Sequence, residues 1–342
     1  MSPKESRILA VTAVLAMAFG LSACVPVAAP NDPAPTTPTT TTPINGVVTT
    51  ISVVDGDPFG VAITPDGTKA YVTNLLSAGT VSVISTATNT VSATVTVGSN
   101  PRGVAITPNG AFAGKAYVTN SNSDTVSVIN TATNAVVGLP ITVGNFPDGV
   151  AITPDGSKAY VTNYADGTVS VINTDTNLVV GLPITVGNFP NGVAITPDGT
   201  KAYVTNEGSN NVSVIDTATN AVTTISVDSG SEVVAITPDG TKAYVTLSLG
   251  QVKVINTANG TVSAPITVGT QPLGVAITPD GTKVCVTNFQ DDTVSVITTA
   301  TGAVSATITV GGNPHGVAIT PDGTKAYVAN SNSTNVSVIR IA

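Results

Sequence analysis

The chain has 342 residues, of which 42% are hydrophobic and only 9% charged, with no tryptophan, one histidine, two cysteines and a formal net charge of −8. Such an acidic body excludes binding to nucleic-acid phosphates, which needs clustered Lys and Arg. A single histidine excludes a multi-histidine zinc or copper centre.

Residues 1–23 read as an export signal. Lys4 and Arg7 precede an apolar run at 8–21, too short for a hydrocarbon core that needs about 20 residues. The tetrapeptide Leu21-Ser22-Ala23-Cys24 resembles the lipobox of bacterial lipoproteins. That resemblance implies a lipid on Cys24 and a protein held at a membrane outside the cytoplasm, in the periplasm or at the cell surface. Cys285 is then the remaining thiol, and no intrachain disulfide is expected. It stands where the other repeats carry a tyrosine, so a buried, inert thiol is expected. The rest of 24–44, rich in Pro and Thr, has little to bury and reads as a stalk of roughly 60 Å at about 3.1 Å per residue.

From residue 45 onward one phrase recurs. GVAITPDGTKAYVTN starts at Gly60 and returns at Gly103, Gly149, Gly192, Val233, Gly274 and Gly316, every 41 to 46 residues. A period in this range signals a stacked or circular array. The abundance of β-branched residues favours strands. Each period parses into four: a at 60–64, b at 69–74, c at 80–85 and d at 90–98 in the first repeat. Pro65-Asp66-Gly67 supplies the a–b turn and Thr86-Ala87-Thr88-Asn89 the c–d turn, with Gly67 and Asn89 suited to the left-handed region. Pro140, Pro183 and Pro265 fall in strand d, which places d at the sheet edge, where a missing N–H is tolerated.

The two termini carry the evidence for closure. Residues 45–53 match the d strand of a later repeat at 220–227, yet precede the first a strand, and the chain stops after its seventh c strand. The orphan strand at 45–54 therefore completes the last blade, and the array closes as an all-β, seven-bladed β-propeller with no open end.

GVAITPDGTKAYVTN followed by TVSVINTATN resembles the YVTN family of β-propeller repeats found in secreted and surface-layer proteins. The resemblance spans 45–342 and implies a seven-bladed propeller with a surface binding or structural role. Small departures are Val233, Leu247, Cys285 and an insertion around Phe112.

Divergence inside the repeat locates a candidate site. Antiparallel connectivity puts the a–b and c–d turns on one face and the variable d–a and b–c loops on the other. The residue before each anchor is Phe59, Arg102, Asp148, Asn191, Glu232, Leu273 and His315 in turn. These seven are expected to ring the mouth of the central channel as a ligand site. Phe146, Phe189, Phe289 and Tyr164 fall in the same variable loops. No cofactor, metal or nucleophile motif is present, and Asp66 and its equivalents read as turn residues. The expected function is a non-enzymatic, monomeric cell-envelope module that binds a glycan, peptide or protein. The alternatives are a lactonase-like or lyase-like propeller with His315 as general base beside Glu232, Asp148 and Arg102, and a purely structural surface-layer-like protein.

Overall fold

The computed structural model describes residues 46–53, 56–228 and 230–341. The expected signal segment, Cys24 and the stalk lie outside the described residues. In the first blade, strands Asp57–Ile63, Lys69–Leu75, Thr80–Ser85 and Thr90–Thr96 pair antiparallel in chain order. Six further sheets repeat the pattern. In the seventh blade, Pro314–Ile319, Lys325–Asn330 and Asn335–Arg340 are completed by Val47–Ser52 from the other end of the chain. Ile51 lies opposite Val336 and Ser52 opposite Asn335, as the sequence match with residues 220–227 predicts. The ring is also joined between blades 7 and 1, where Tyr327 Oη donates to Asn89 Oδ1 at 2.7 Å. The fold is a seven-bladed β-propeller.

The turns behave as their residues require. Gly67 and Asn89 have φ of 72° and 54°, the left-handed region that glycine and asparagine tolerate. Strand d departs from expectation in one respect. Pro140 and Pro183 do not sit within it but break it, between Ala135–Val136 and Ile141–Thr142 in blade 2 and between Leu178–Val179 and Ile184–Thr185 in blade 3. A residue without an N–H interrupts the ladder, and only an edge strand survives the interruption.

Strand b lies at the middle of each blade and is sandwiched by the neighbouring blades, so both of its faces are apolar or hydrogen-bonded. Ala70, Tyr71 and Val72 are fully buried, and Tyr71 packs with Ala116 and Val118 of the next blade. Its phenol donates to Asn134 Oδ1 at 2.7 Å, as Tyr117 does to Asn177 at 2.6 Å. At these two joints and at the one between blades 7 and 1, the asparagine that closes the c–d turn thus doubles as the acceptor for a buried tyrosine, which needs one, whereas Tyr160 Oη is buried without a partner among the described residues. Cys285 takes the tyrosine's place in blade 6, fully buried, with its thiol pushed up to about 12 by burial. Asn74 Nδ2 donates to Thr80 Oγ1 at 3.0 Å and Ser82 Oγ at 2.9 Å, fixing strand b on strand c.

The threonine of the same strand joins blades at the channel. All seven a strands carry a bulge: Pro58 faces Asn74 and Val61 faces Val72, so Phe59 and Gly60 together oppose Thr73. The same irregularity recurs between Pro101 and Val104, Pro147 and Val150, Pro190 and Val193, Ser231 and Val234, Pro272 and Val275, and Pro314 and Val317. A bulge leaves an N–H without a ladder partner. Thr73 Oγ1 accepts from that Gly60 N–H at 2.8 Å and donates to the Arg102 carbonyl of the next blade at 2.7 Å. Thr119, Thr162, Thr205, Thr246 and Thr287 make the corresponding bonds to Asp148, Asn191, Glu232, Leu273 and His315. A Cβ on Gly60 would collide with the same Arg102 carbonyl, which is why a glycine follows the mouth residue.

Blade 7 has Ala329 at the threonine's position, so the joint between blades 7 and 1 lacks the hydroxyl. Replacing Thr205, fully buried, by the isosteric valine is expected to cost about 1–3 kcal/mol by stranding a buried N–H and a carbonyl. The reverse change, Ala329→Thr, is expected to raise the melting temperature through a net gain of about 1 kcal/mol. Thermal melts of the two variants check both signs.

Candidate functional site

Phe59, Arg102, Asp148, Asn191, Glu232, Leu273 and His315 all line one cavity of about 600 Å³ at the mouth of the central channel. Each is the bulged residue of its a strand, and bulges re-aim side chains next to sites. Phe146 and Gln271 from d–a loops, and Tyr164 and Glu207 from b–c loops, complete the lining. The opposite face carries the constant turns: Pro65 and Asp66 of blade 1 share a shallow depression with Thr131 and Ala132 of blade 2. There the aspartates are turn residues, as expected. Asp66 Oδ1 accepts from Thr64 Oγ1 at 2.5 Å and from the Thr68 N–H at 3.0 Å, and these bonds lower its pKa.

Around the mouth runs an arc of stacked side chains. The Phe289 ring meets His315 edge-on at 4.8 Å, and His315 lies 4.3 Å from Phe59. The Arg102 guanidinium is held between Phe59 at 5.1 Å and Phe146 at 4.9 Å. Phe146 then meets Tyr164 at 5.9 Å, and Tyr164 stacks on Phe189 at 5.1 Å. Ring-on-ring contacts contribute about 0.5–1.5 kcal/mol each beyond burial, and a partly desolvated guanidinium on a ring face a comparable amount. The arc spans blades 6, 7, 1, 2, 3 and 4, and its Phe59–His315 contact bridges the joint that lacks the threonine hydroxyl.

Polar groups occupy the rest. Arg102 Nη1 donates to Asp148 Oδ2 at 2.8 Å, while Arg102 Nε is buried without a partner. Burial raises the pKa of Asp148 and Arg102 opposes the rise. Asn191 Nδ2 donates to Glu232 Oε2 at 3.1 Å, and Tyr164 Oη to Glu207 Oε2 at 3.0 Å. Burial, with the charges of Glu207 and Asp148, pushes Glu232 up to about 7. Burial, with Arg102 nearby, pushes His315 down to about 4, so its imidazole is neutral at physiological pH. Burial and the Glu207 carboxylate hold the Tyr164 phenol up to about 12, so it remains a donor. Among the described residues no cluster of three or more His, Cys, Asp or Glu side chains is disposed to hold a metal ion.

Sequence reasoning found all seven bulge residues but missed Glu207 and Gln271. The signal for Glu207 was available. It follows the b strand, where the other blades have Leu75, Ser121, Tyr164, Ser248, Phe289 and Ser331, a second position that varies within a constant frame. Gln271 belongs to a third, the residue before the a strand, occupied elsewhere by Asn100, Phe146, Phe189 and Asn313 with φ of 49° to 54°. Asparagine suits that left-handed backbone, whereas a bulky residue is held there against a cost of order 1–3 kcal/mol. Phe146 and Phe189 are the two phenylalanines held in such backbone.

Residues 182–342 match the model of a family described as lactonase, 7-bladed beta-propeller. Among solved structures, a chain of Kuenenia stuttgartiensis hydrazine synthase is 27% identical, with a TM-score of 0.76, over 85% of this chain and 97% of that chain. The architecture is common, with 1836 matching solved chains, so likeness of shape speaks first to fold. A comparison with curated protein sequences gave no match.

Two outcomes follow from this geometry. Phe189→Asn is expected to change stability by less than about 1 kcal/mol, since relief of left-handed strain offsets the lost stacking. Phe59→Asn, where φ is not positive, is expected to cost about 2 kcal/mol, and denaturant titration separates the two. Glu232 binds a proton in the folded state that the unfolded chain releases between its ordinary value of 4.5 and about 7, so its contribution is lost as pH rises through that window. Glu232→Gln is therefore expected to raise the melting temperature more at pH 8 than at pH 4.5.

Proposed function

We propose that the protein is a binding module of the bacterial cell envelope, anchored through a lipid on Cys24 and carrying its ligand site at the channel mouth. The observation that carries this reading is the convergence of seven unlike side chains, drawn from a frame that otherwise repeats, on one aromatic-walled cavity. A rim under no demand has no reason to hold phenylalanine in left-handed backbone at two places. On this reading the propeller is the rigid support and the variable loops are the adaptable part. The YVTN-like repeat and the lipobox-like tetrapeptide agree with an extracytoplasmic, surface-layer-like setting. The ligand class is an extracytoplasmic glycan, peptide or protein.

A second reading has its own support. The match of 182–342 to the lactonase family coincides with a carboxyl at about 7 and a neutral imidazole on one cavity. A group poised near neutral pH is what general acid–base catalysis uses. The hydrazine synthase chain, an enzyme by its name, carries a related architecture. On this reading the mouth hydrolyses a lactone or a related ester.

Glycan and peptide arrays with the purified protein, alongside a lactone panel, separate the two. Binding without turnover, abolished in an Arg102→Ala/Glu232→Ala/His315→Ala variant, is the expected outcome. Lactone hydrolysis lost in both His315→Ala and Glu232→Gln would replace it with the enzyme, and hits indifferent to all three substitutions would remove the mouth from consideration. Cys24→Ser is expected to move the protein from the detergent phase to the aqueous phase.

A further inference from the structure

The mouth is electrostatically lopsided. Its single basic side chain, Arg102, is committed to Asp148 and to two phenyl faces on the side of blades 1 to 3. Glu207 and Glu232 line the same cavity from blades 4 and 5, and among the described residues no lysine or second arginine lines the wall. Glu232 is 8% exposed. One of its carboxylate oxygens accepts from Asn191, and the other has no donor among the described residues. Glu207 receives a side-chain hydrogen bond from the neutral Tyr164 phenol. A carboxylate taken out of water, as Glu232 is, needs a counter-charge or a donor, and the protein supplies it with one neutral donor, as it does the half-buried Glu207.

A ligand that suits these groups is therefore positively charged, rich in N–H donors and tolerant of apolar neighbours, because Tyr164, which donates to Glu207, and Leu273, from the blade after Glu232, line the same cavity. A bare divalent ion meets these terms poorly, since among the described residues no three acidic or imidazole groups are disposed around a common point. An anion would meet two carboxylates, and a neutral sugar would leave their charge uncompensated. Resting on the reading that the mouth is the ligand site, we propose that it takes an alkylammonium group, with its N–H donors on Glu232 and Glu207 and its hydrocarbon part along Tyr164 and Leu273. The Arg102 guanidinium, held between Phe59 and Phe146, is a built-in example of a cation on this rim's ring faces.

The protonation chemistry of the pocket sharpens the test. An ammonium favours the ionised form of Glu232, which is faced by the like charges of Glu207 and Asp148 and by the Asn191 amide. Binding is therefore linked to release of a proton and weakens as pH falls through about 7. Calorimetric titration of the purified protein with spermidine, and in a parallel arm with Nα-acetyl-lysine amide, reads this directly. The expected result is affinity that rises several-fold from pH 6 to pH 8. Up to one proton is released near pH 7, detected by comparing buffers of different ionisation enthalpy. Glu232→Gln and Glu207→Gln are each expected to weaken binding about tenfold, the scale of one charge-assisted hydrogen bond. Thermal melts verify that both variants are folded. Preference for spermidine identifies a free polyamine as the source, and comparable binding of the lysine amide identifies a peptide side chain; both support the proposal. Amine binding unchanged by either substitution, or magnesium chloride binding in its place, would overturn it. No amine binding, together with a neutral oligosaccharide whose capture needs Arg102 or Glu232, overturns the ligand class and leaves the mouth intact. Ligands of every kind indifferent to mouth substitutions would remove both readings.

Discussion

One threonine hydroxyl in each of blades 1 to 6 organises this molecule. In each a strand a bulge turns the mouth side chain toward the channel and leaves an amide without a ladder partner. The threonine two positions into the YVTN phrase accepts from that amide and donates to the carbonyl of the next blade's bulge residue. The same atom thus stabilises the distortion that presents the site and ties the blades whose closeness makes the site a cavity. Glycine beside the bulge in every blade but the fifth, which has Val233, follows from that closeness, since a Cβ on Gly60 would strike the neighbouring carbonyl. Tyrosine and asparagine make a second set of ties further out, from strand b to the neighbouring c–d turn.

Much of this was legible in the sequence because repetition converts one chain into seven examples of itself. The period, the Asp-Gly and Asn turns, the edge position of strand d and the pairing of the two termini all emerge from aligning the repeats. What repeats could be assigned to structure, and what differs could be assigned to the rim. The bulge was less visible. Pro-x-Gly announces it only when the register against strand b is known, and register comes from three-dimensional pairing. Glu207 was missed because it starts a loop whose length and composition both vary, so its equivalence to Tyr164 and Phe289 is hidden until strand b is fixed at both ends. The stacked arc from Phe289 to Phe189 was out of reach for a related reason: its members come from three different positions of the repeat, in six blades.

The mouth concentrates unfavourable features at identifiable points. Phe146 and Phe189 hold left-handed backbone that the equivalent Asn100 and Asn313 hold at lower cost. Glu232 is buried near like charges, and Arg102 keeps a buried Nε without a partner. The surrounding scaffold, with strand b buried on both faces in every blade, is rigid enough to keep these groups in place. The constant turns, by contrast, meet their left-handed backbone with Gly and Asn, the residues that tolerate it.

The seventh blade also sets an order of events. Val47–Ser52 is synthesised before every other strand of the ring, yet its hydrogen-bonding partner, Asn335–Arg340, is the last to be made. Nearly the whole length of the ring separates the two, so the final pairing has high contact order and a large loop-closure entropy. Blades 1 to 6 can assemble on neighbours already present, while Val47–Ser52 stays unpaired until Asn335–Arg340 has been made. Closure of the circle therefore waits on Asn335–Arg340, and a product truncated before that strand is left as an open crescent with an unpaired edge at each end.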